Sequence, residues 1–450
     1  MAAPVPVSRR MTHDPNAARG VAMALLAGPW DAQDMRRSVT FALGRDRQPR
    51  WVHRLIMQVL EVYPSPPADG SRELGEVVQS LPAWLAGEQS SRPPRVVHWP
   101  TATTAMGQAP WPVADLPHLG ALARLLDVDV GELAWFADTR GLERQAAMPL
   151  RHYRWTVLPK RNGVRLVAAP KPRLKEIQRR LLRHVLAPVP LHPLAHGGVP
   201  GRSVRTALAP HAGAPVVIRA DLEAFFSSIS AGRVYGVLRT AGYPEAVAYT
   251  ITGLCTTVVP RTVWQAVAVP RDFARHRRLG QLLAVPHLPQ GAPTSPALAN
   301  LVAFSLDRRL AGLARAFDAR YTRYVDDLTF SGGARLRAGT SALIGTVAEI
   351  VRDEGFRLVD AKTVVLGSAG RQQLLGAVIN DHPTLSRHER DALRALLHNC
   401  ATLGWRSQSR GRERFAEHVL GRIGHITGLD PVLGAKLRMF YDAIDWSDEA

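Results

Sequence analysis

Tyr324-Val325-Asp326-Asp327, inside Arg320-Tyr-Thr-Arg-Tyr-Val-Asp-Asp-Leu-Thr-Phe-Ser331, decides how this chain is read. β-formers crowd both sides of two adjacent carboxylates, a pattern for strand, tight turn, strand with the acids at the tip. Hairpin tips ordinarily take Gly or Asn, because their backbone needs positive φ. Two mutually repelling acids in that place suit a bound cation. Taken alone, the pair is more often a solvated acidic turn.

Working outward, Pro215-Val-Val-Ile-Arg-Ala-Asp221 is a short, mostly apolar run ending on another carboxylate. Its length and its Gly and Pro boundaries suit a strand buried on both faces. An acid closing that strand would sit at a sheet edge, where the 320–331 hairpin can bring Asp326 alongside. Two carboxylates from separate strands can hold two Mg²⁺ ions about 3.5–4 Å apart, the arrangement for in-line nucleotidyl transfer. Mg²⁺ takes its remaining ligands from water and phosphates. Asp221 by itself would serve equally as a strand-end or helix-cap acid.

Four stretches follow one another in the order found in reverse transcriptases. They are the Asp221 run, Leu288-Pro-Gln-Gly-Ala-Pro-Thr-Ser-Pro296, Tyr324-Val-Asp-Asp327 and Arg371-Gln-Gln-Leu-Leu-Gly376. Over residues 115–445 the chain resembles the bacterial retron-type reverse transcriptases; residues 1–110 carry no recognised resemblance. The resemblance implies an α+β, right-hand polymerase fold with fingers, a palm on an antiparallel sheet and a helical thumb. It implies RNA-directed DNA synthesis with two Mg²⁺ ions, held by Asp221 and Asp326 with Asp327 as a weaker or outer ligand. Lys362 matches the lysine that protonates the pyrophosphate leaving group, where a cation also stabilises developing negative charge. Arg154-Trp-Thr-Val-Leu-Pro-Lys-Arg-Asn-Gly-Val-Arg-Leu-Val167 reads as a hairpin turning at Asn162-Gly163. The family's fingers hairpin grips the triphosphate, which points to Lys160 and Arg165; a charged, solvated hairpin tip is the alternative. Phe226 matches the aromatic that closes off the sugar 2′ carbon, selecting dNTPs, while one of Phe225 and Phe226 belongs to the core. Gln290-Gly291 would lie against template and incoming base, with Gly291 permitting close backbone approach. Ser295 reads as an N-cap and Pro296 as a first helical residue.

The chain has 450 residues, enough for two or three domains. Its formal net charge of +19 points to a polyanion, nucleic acid before membrane. Only Cys255 and Cys400 are present, which excludes a disulfide framework and a Cys-built zinc site and suits a reducing, cytoplasmic setting. Val21-Ala-Met-Ala-Leu-Leu-Ala27 is too short for a membrane span and reads as a core helix.

Residues 17–87 show helical spacing, with Trp51, Leu55, Ile56 and Val59 as one apolar stripe and Arg36, Arg37, Arg45, Arg47 and Arg50 beside it. A small helical domain that touches RNA, or one with a merely solvated basic face, both fit. Residues 87–111 are rich in Pro, Ser and Thr, a linker by composition. Lys171, Lys175, Arg179 and Arg183 recur every four residues, a stripe that can track phosphates or simply face water. In Ala195-His-Gly-Gly-Val-Pro-Gly-Arg-Ser203 the family usually has an aromatic where Gly198 stands, so Arg202 is a candidate nucleic-acid contact only. His196 reads as a structural polar residue. The Arg-rich stretch 258–287 has no assignment. Ser386 and Glu389 form a capping box opening a helix with Leu393, Leu396, Leu397 and Cys400 on one face. Arg387, Arg390 and Arg394 are its candidate RNA contacts. The expected organisation is a helical domain at 1–88, a linker at 89–113, fingers and palm at 114–384 and a thumb at 385–450.

The resulting expectation is a polymerase that copies a structured non-coding RNA, with dNTPs and a primer, into an RNA–DNA hybrid (msDNA). Antiviral defence with an accessory effector is implied by the resemblance alone, and no membrane is involved. A stand-alone defence enzyme or a group II intron-like enzyme remains the rival. No Asn-Ala-x-x-His is present, and Leu374-Leu375-Gly376 replaces the usual Val-Thr-Gly. Cys255-Thr256 and the compact thumb favour the retron type. A non-catalytic RNA-binding protein on the same scaffold explains the charge, but not the retention of Asp221, Asp326, Phe226 and Lys362.

Overall fold

The computed structural model describes residues 16–27, 29–67, 71–99, 105–138, 141–160, 163–269 and 272–447. The side chains of Arg144, Lys160 and Asp360 lie outside that description, as do Arg161, Asn162 and Arg271. Two compact units emerge: residues 1–139 with 238–251, and residues 140–237 with 252–450. The division falls at 139/140, so residues 114–139, expected with the fingers, group with the N-terminal unit.

The first unit is helical. Helices Ala17–Leu26, Ala32–Ala42, Arg50–Val62, Ser71–Ser80 and Pro82–Glu88 enclose a core that includes Val21, Leu25, Val52, Leu55, Ile56, Val59 and Trp84. The expected stripe is therefore buried, with Trp51 half-buried at its margin. Asp31 caps the second helix by accepting from the Gln33 and Asp34 amides. The stretch read as a linker is packed in part. Val96 joins this core, and the Val97 and His98 amides donate to the Ala42 carbonyl.

The second unit opens with a hairpin, β1 (Tyr153–Lys160) and β2 (Gly163–Pro170), paired in register from Tyr153↔Pro170 to Lys160↔Gly163. The palm sheet combines β3 (Val216–Asp221), β4 (Ala319–Tyr324), β5 (Asp327–Gly332) and β6 (Val364–Gly367) in the order β4-β5-β3-β6, antiparallel throughout. β3 is apolar because it is interior and covered: Val216, Val217, Ile218 and Ala220 are all buried. Asp221 consequently closes a covered interior strand, at the end of the sheet where the sequence placed it. A two-residue-per-strand hairpin follows, β7 (Gln373–Leu374) and β8 (Ala377–Val378), turning through Leu375 at φ 48° and Gly376 at φ 84°. Helices Arg387–Leu403, Phe415–Leu429 and Pro431–Asp442 close around Leu393, Leu397, Cys400, Val419, Ile423 and Leu437. The Ser386 hydroxyl accepts from the Glu389 amide and donates to the Glu389 carboxylate, so the expected cap forms with its return arm aimed at the hydroxyl. No helix among the described residues is long and apolar enough to cross a membrane.

Candidate active site

β4 and β5 are joined by Val325-Asp326 alone, since Tyr324 pairs with Asp327. Val325 takes the first central position at φ 58°, a left-handed conformation that a β-branched residue rarely adopts. Three contacts hold it there. The Arg323 guanidinium donates to the Val325 carbonyl at 3.0 Å. The Leu222 amide donates to the Asp326 carbonyl at 2.9 Å. Gly197 packs its backbone against the turn so closely that a Cβ would lie 2.6 Å from the Val325 nitrogen. Arg323 is itself fixed: fully buried, it donates to both oxygens of Asp307 at 2.8 and 2.6 Å, and the Tyr321 hydroxyl donates to the same carboxylate at 2.9 Å. Strain of this kind persists where the surroundings over-determine it.

The register sets Asp221 directly across from Asp327, with Asp326 next to it in the turn. The sequence expected the hairpin to bring Asp326 alongside Asp221, and it does, with Asp327 as the residue paired directly across the strands. Each facing carboxylate has a basic partner. Lys362, on the short turn Asp360–Lys362 before β6, donates to Asp221 Oδ1 at 2.6 Å. Arg219 donates to Asp327 Oδ1 at 2.6 and 2.5 Å. Burial, and the charges of Asp326 and Asp221, raise the Asp327 carboxyl above its usual range, against the pull of Arg219.

Asp221, Asp326, Asp327 and Lys362 line a cleft of about 430 Å³ with Arg165, Phe226, Gln290 and Leu375. Both phenylalanines border the cleft, but Phe225 is buried against Phe356, with ring centroids 5.5 Å apart, while Phe226 is partly exposed there. The close approach at Gly291, φ 128°, is to the hairpin: a Cβ would lie 3.0 Å from the Ala168 carbonyl oxygen, and the Ala168 amide donates to the Gln290 carbonyl. Ser295 is not the N-cap. Helix Ser295–Val302 begins after Thr294, Pro296 falls one residue later than expected, and the Ser295 hydroxyl instead donates to the Pro289 carbonyl at 2.7 Å. Gly198, φ 70°, replaces the family's aromatic because a Cβ would lie 2.5 Å from Pro296 Cβ.

Other sequence candidates stay outside the cleft. Arg202 donates to the His192 and Ala195 carbonyls. Arg179 and Arg183 are exposed on and just beyond helix Pro172–Leu181, and Arg387 pairs with Asp391 at 3.6 Å. Arg390 is half-buried and Arg394 exposed on helix Arg387–Leu403. His196 is buried and bonded to Thr206 at 2.9 Å, the structural role expected of it.

Sequence reading missed Arg219, although the two-residue period of a strand puts it on the face of Asp221. It also missed Glu223, on which Arg275, Arg278 and Arg357 converge at 3.3, 3.4 and 3.5 Å. Arg275 and Arg278 lie on helix Phe273–Leu283 and line the cleft, so the unassigned stretch 258–287 forms one of its walls.

Residues 158–379 match the family described as reverse transcriptase (RNA-dependent DNA polymerase). The retron Mx65 reverse transcriptase of Myxococcus xanthus is 41% identical over 322 residues, 70% of this chain and 69% of that one. The retron Mx162 reverse transcriptase of the same organism is 37% identical, over 72% of this chain and 66% of that one. The chain belongs to the retron reverse transcriptases. It is an RNA-directed DNA polymerase of the type that makes msDNA, with RNA as its template partner. Retron Ec86 reverse transcriptase of Escherichia coli is a more distant relative, 28% identical over 59% of this chain. Reverse transcriptases use divalent metal ions. The donor set fits: Asp221, Asp326 and Asp327 bring hard oxygen ligands to one end of the palm sheet, and their mutual repulsion is relieved by a cation. Among the described residues no three such side chains already stand as a metal cluster, because Lys362 and Arg219 hold two of the carboxylates.

Proposed function

We propose that this retron reverse transcriptase polymerises dNTPs at the end of the palm sheet, with two Mg²⁺ ions held by Asp221 and Asp326. The observation that carries the reading is the convergence of Asp221, Asp326, Asp327 and Lys362 with Phe226 and Gln290 in one cleft. Bound Mg²⁺ would lower the pKa of the primer hydroxyl and offset charge on the transferring phosphate. The protein's own groups do the rest. Asp327 stays with Arg219 and shapes the field at the turn. Lys362 Nζ, which donates to Asp221, would be the proton donor to the departing pyrophosphate. Phe226 presents apolar bulk to the sugar, where a 2′-hydroxyl would lose its hydrogen bonds. Arg165, with Lys160, grips the triphosphate from the hairpin. Arg275 and Arg278 reach it from the opposite wall once it competes with Glu223 for them.

The template is a structured non-coding RNA, primed from an internal guanosine 2′-hydroxyl, and the RNA–DNA product acts in antiviral defence with an accessory effector. The two Myxococcus relatives favour the retron reading over the stand-alone and group II intron-like ones. Asp221→Asn and Asp326→Asn should each abolish primer extension on an RNA template, a loss of at least about 4 kcal/mol of transition-state stabilisation, or 10³-fold. RNA binding should persist in both. Near-normal extension by either variant refutes the metal assignment.

A further inference from the structure

A second cleft, of about 660 Å³, lies wholly within the N-terminal helices. It is bordered by the turn before helix Arg50–Val62, the first turns of that helix, the start of helix Pro82–Glu88 and residues 90–92. Five arginines line it, Arg45, Arg47, Arg50, Arg54 and Arg92, and no acid does. Among the described residues none of the five forms an ion pair. Elsewhere in the same unit arginines do find acids: Arg37 meets Asp34, and Arg72 meets Glu76. Five arginines without an acid partner are thus gathered at one cleft.

The cleft is built rather than incidental. Arg45 is anchored across it by donating to the Arg92 and Pro93 carbonyls at 3.3 and 3.5 Å. Gln58 accepts from the Ala83 amide at 3.1 Å, tying the two helices together at its base. Trp51 is set edge-on against Trp84, centroids 5.8 Å apart. It lies over Gly87, where a Cβ would come within 2.8 Å of the indole. Helix Arg50–Val62 starts at Pro49 with no side-chain cap and no acid in its first turn, so the positive helix end adds to the arginines instead of offsetting them. Such crowding of like charge costs stability and is relieved when an anion enters.

We propose that this cleft binds the phosphate backbone of a folded RNA, giving the chain an RNA anchor separate from its polymerase site. The proposal takes the polymerase's RNA as partner and so rests on the preceding reading. Guanidinium forks match phosphate oxygens in pairs. Five of them exceed what one phosphate monoester neutralises, about −1.5 to −2, whereas a nucleic-acid backbone supplies a charge at every nucleotide.

The test uses the full chain carrying Arg47→Gln, Arg50→Gln and Arg54→Gln together, three exposed changes, with the three Arg→Lys changes as a second variant. Binding of a fluorescein-labelled RNA hairpin is measured by anisotropy across a KCl series. Extension of oligo(dT) on poly(rA) is followed against template concentration. The Gln variant should bind the hairpin at least about tenfold more weakly, with the slope of log K against log salt reduced by about 2. Its KM for template should rise while kcat holds, and the Lys variant should recover most of the binding. Unchanged affinity and slope in the Gln variant would overturn the anchor. So would binding of phosphatidylserine vesicles that the Gln variant loses while keeping the hairpin. Because hairpin binding is read without catalysis, failure of extension in the wild type would refute the polymerase reading and leave this one standing.

Discussion

Val325 at φ 58° would relax if its clamps were loosened; Arg323 is a near neighbour, but Gly197 and, through Arg323, Asp307 come from farther along the chain. The acids were legible in the sequence because Tyr324-Val-Asp-Asp327 follows the Asp221 run and Pro289-Gln-Gly291 in one order; the pair alone would pass for a solvated turn. Their supports were not legible, since an interior Arg–Asp pair 16 residues apart leaves no local pattern. Phe226 was singled out by its place after Asp221, and burial then assigns its neighbour Phe225 to the core. Replacing Phe226 with Val or Ala should raise incorporation of ribonucleotides relative to deoxyribonucleotides. The gain should be about tenfold or more, the scale of relieving one clash in a fitted pocket. Single-nucleotide extension with paired rNTP and dNTP reads it, and unchanged discrimination would place the gate elsewhere. His211 is buried between the hydroxyls of Ser331 and Thr322, at 2.7 and 2.8 Å, tying β5 to β4. Burial, then the Arg320 charge, push its pKa down to about 3 from 6.5. The unfolded chain therefore takes a proton below pH 6.5 that the folded chain refuses until about pH 3. Its stabilisation is complete above pH 6.5 and drains as pH falls, by about 1.4 kcal/mol per unit. Between pH 6.5 and 5 the wild type should lose about 2 kcal/mol more than His211→Asn, measured as urea unfolding at each pH. Equal pH slopes would show that His211 titrates normally.

Element by element, the sequence pattern carried the palm better than its surroundings. β3 and the β4–β5 hairpin were readable because a covered interior strand must be apolar and a strand pair must alternate. Helix Phe273–Leu283 was not: its arginines carry no period that distinguishes a solvated face from a cleft wall, and their partner Glu223 lies far away in sequence. In this structure Glu223 restrains Arg275 and Arg278. An incoming triphosphate offers those arginines more charge than one carboxylate does. Arg275→Gln with Arg278→Gln should raise KM for dNTP about tenfold, the worth of one lost charge-assisted hydrogen bond, with a smaller effect on kcat. Glu223→Gln should shift KM the opposite way by freeing both arginines. Steady-state extension over a dNTP series measures both, and a double variant with wild-type KM would reduce the helix to a structural wall.

At the scale of the whole molecule, the net charge of +19 announced a polyanion but could not say where it binds. The charge is partly spent internally, on Asp221, Asp327, Asp307 and Glu223. Other arginines, Arg183 and Arg394 among them, stay exposed, and five more line the N-terminal cleft. How the DNA begins is a separate question, and the palm allows more than one answer. A 2′-hydroxyl is as competent to attack as a 3′-hydroxyl once it is positioned, because positioning supplies most of what the step needs. Which hydroxyl is presented depends on how the RNA folds on the protein, and RNA is recognised by shape as well as charge. The proposed priming from an internal guanosine 2′-hydroxyl would give a branched product. The protein should be expressed with its flanking locus and purified, and its bound nucleic acid treated with RNase and then with debranching enzyme. A DNA whose mobility shifts only on debranching is the expected result. Linear DNA begun from a 3′ end or from a protein hydroxyl would reject branched priming, while leaving the RNA-directed synthesis itself intact.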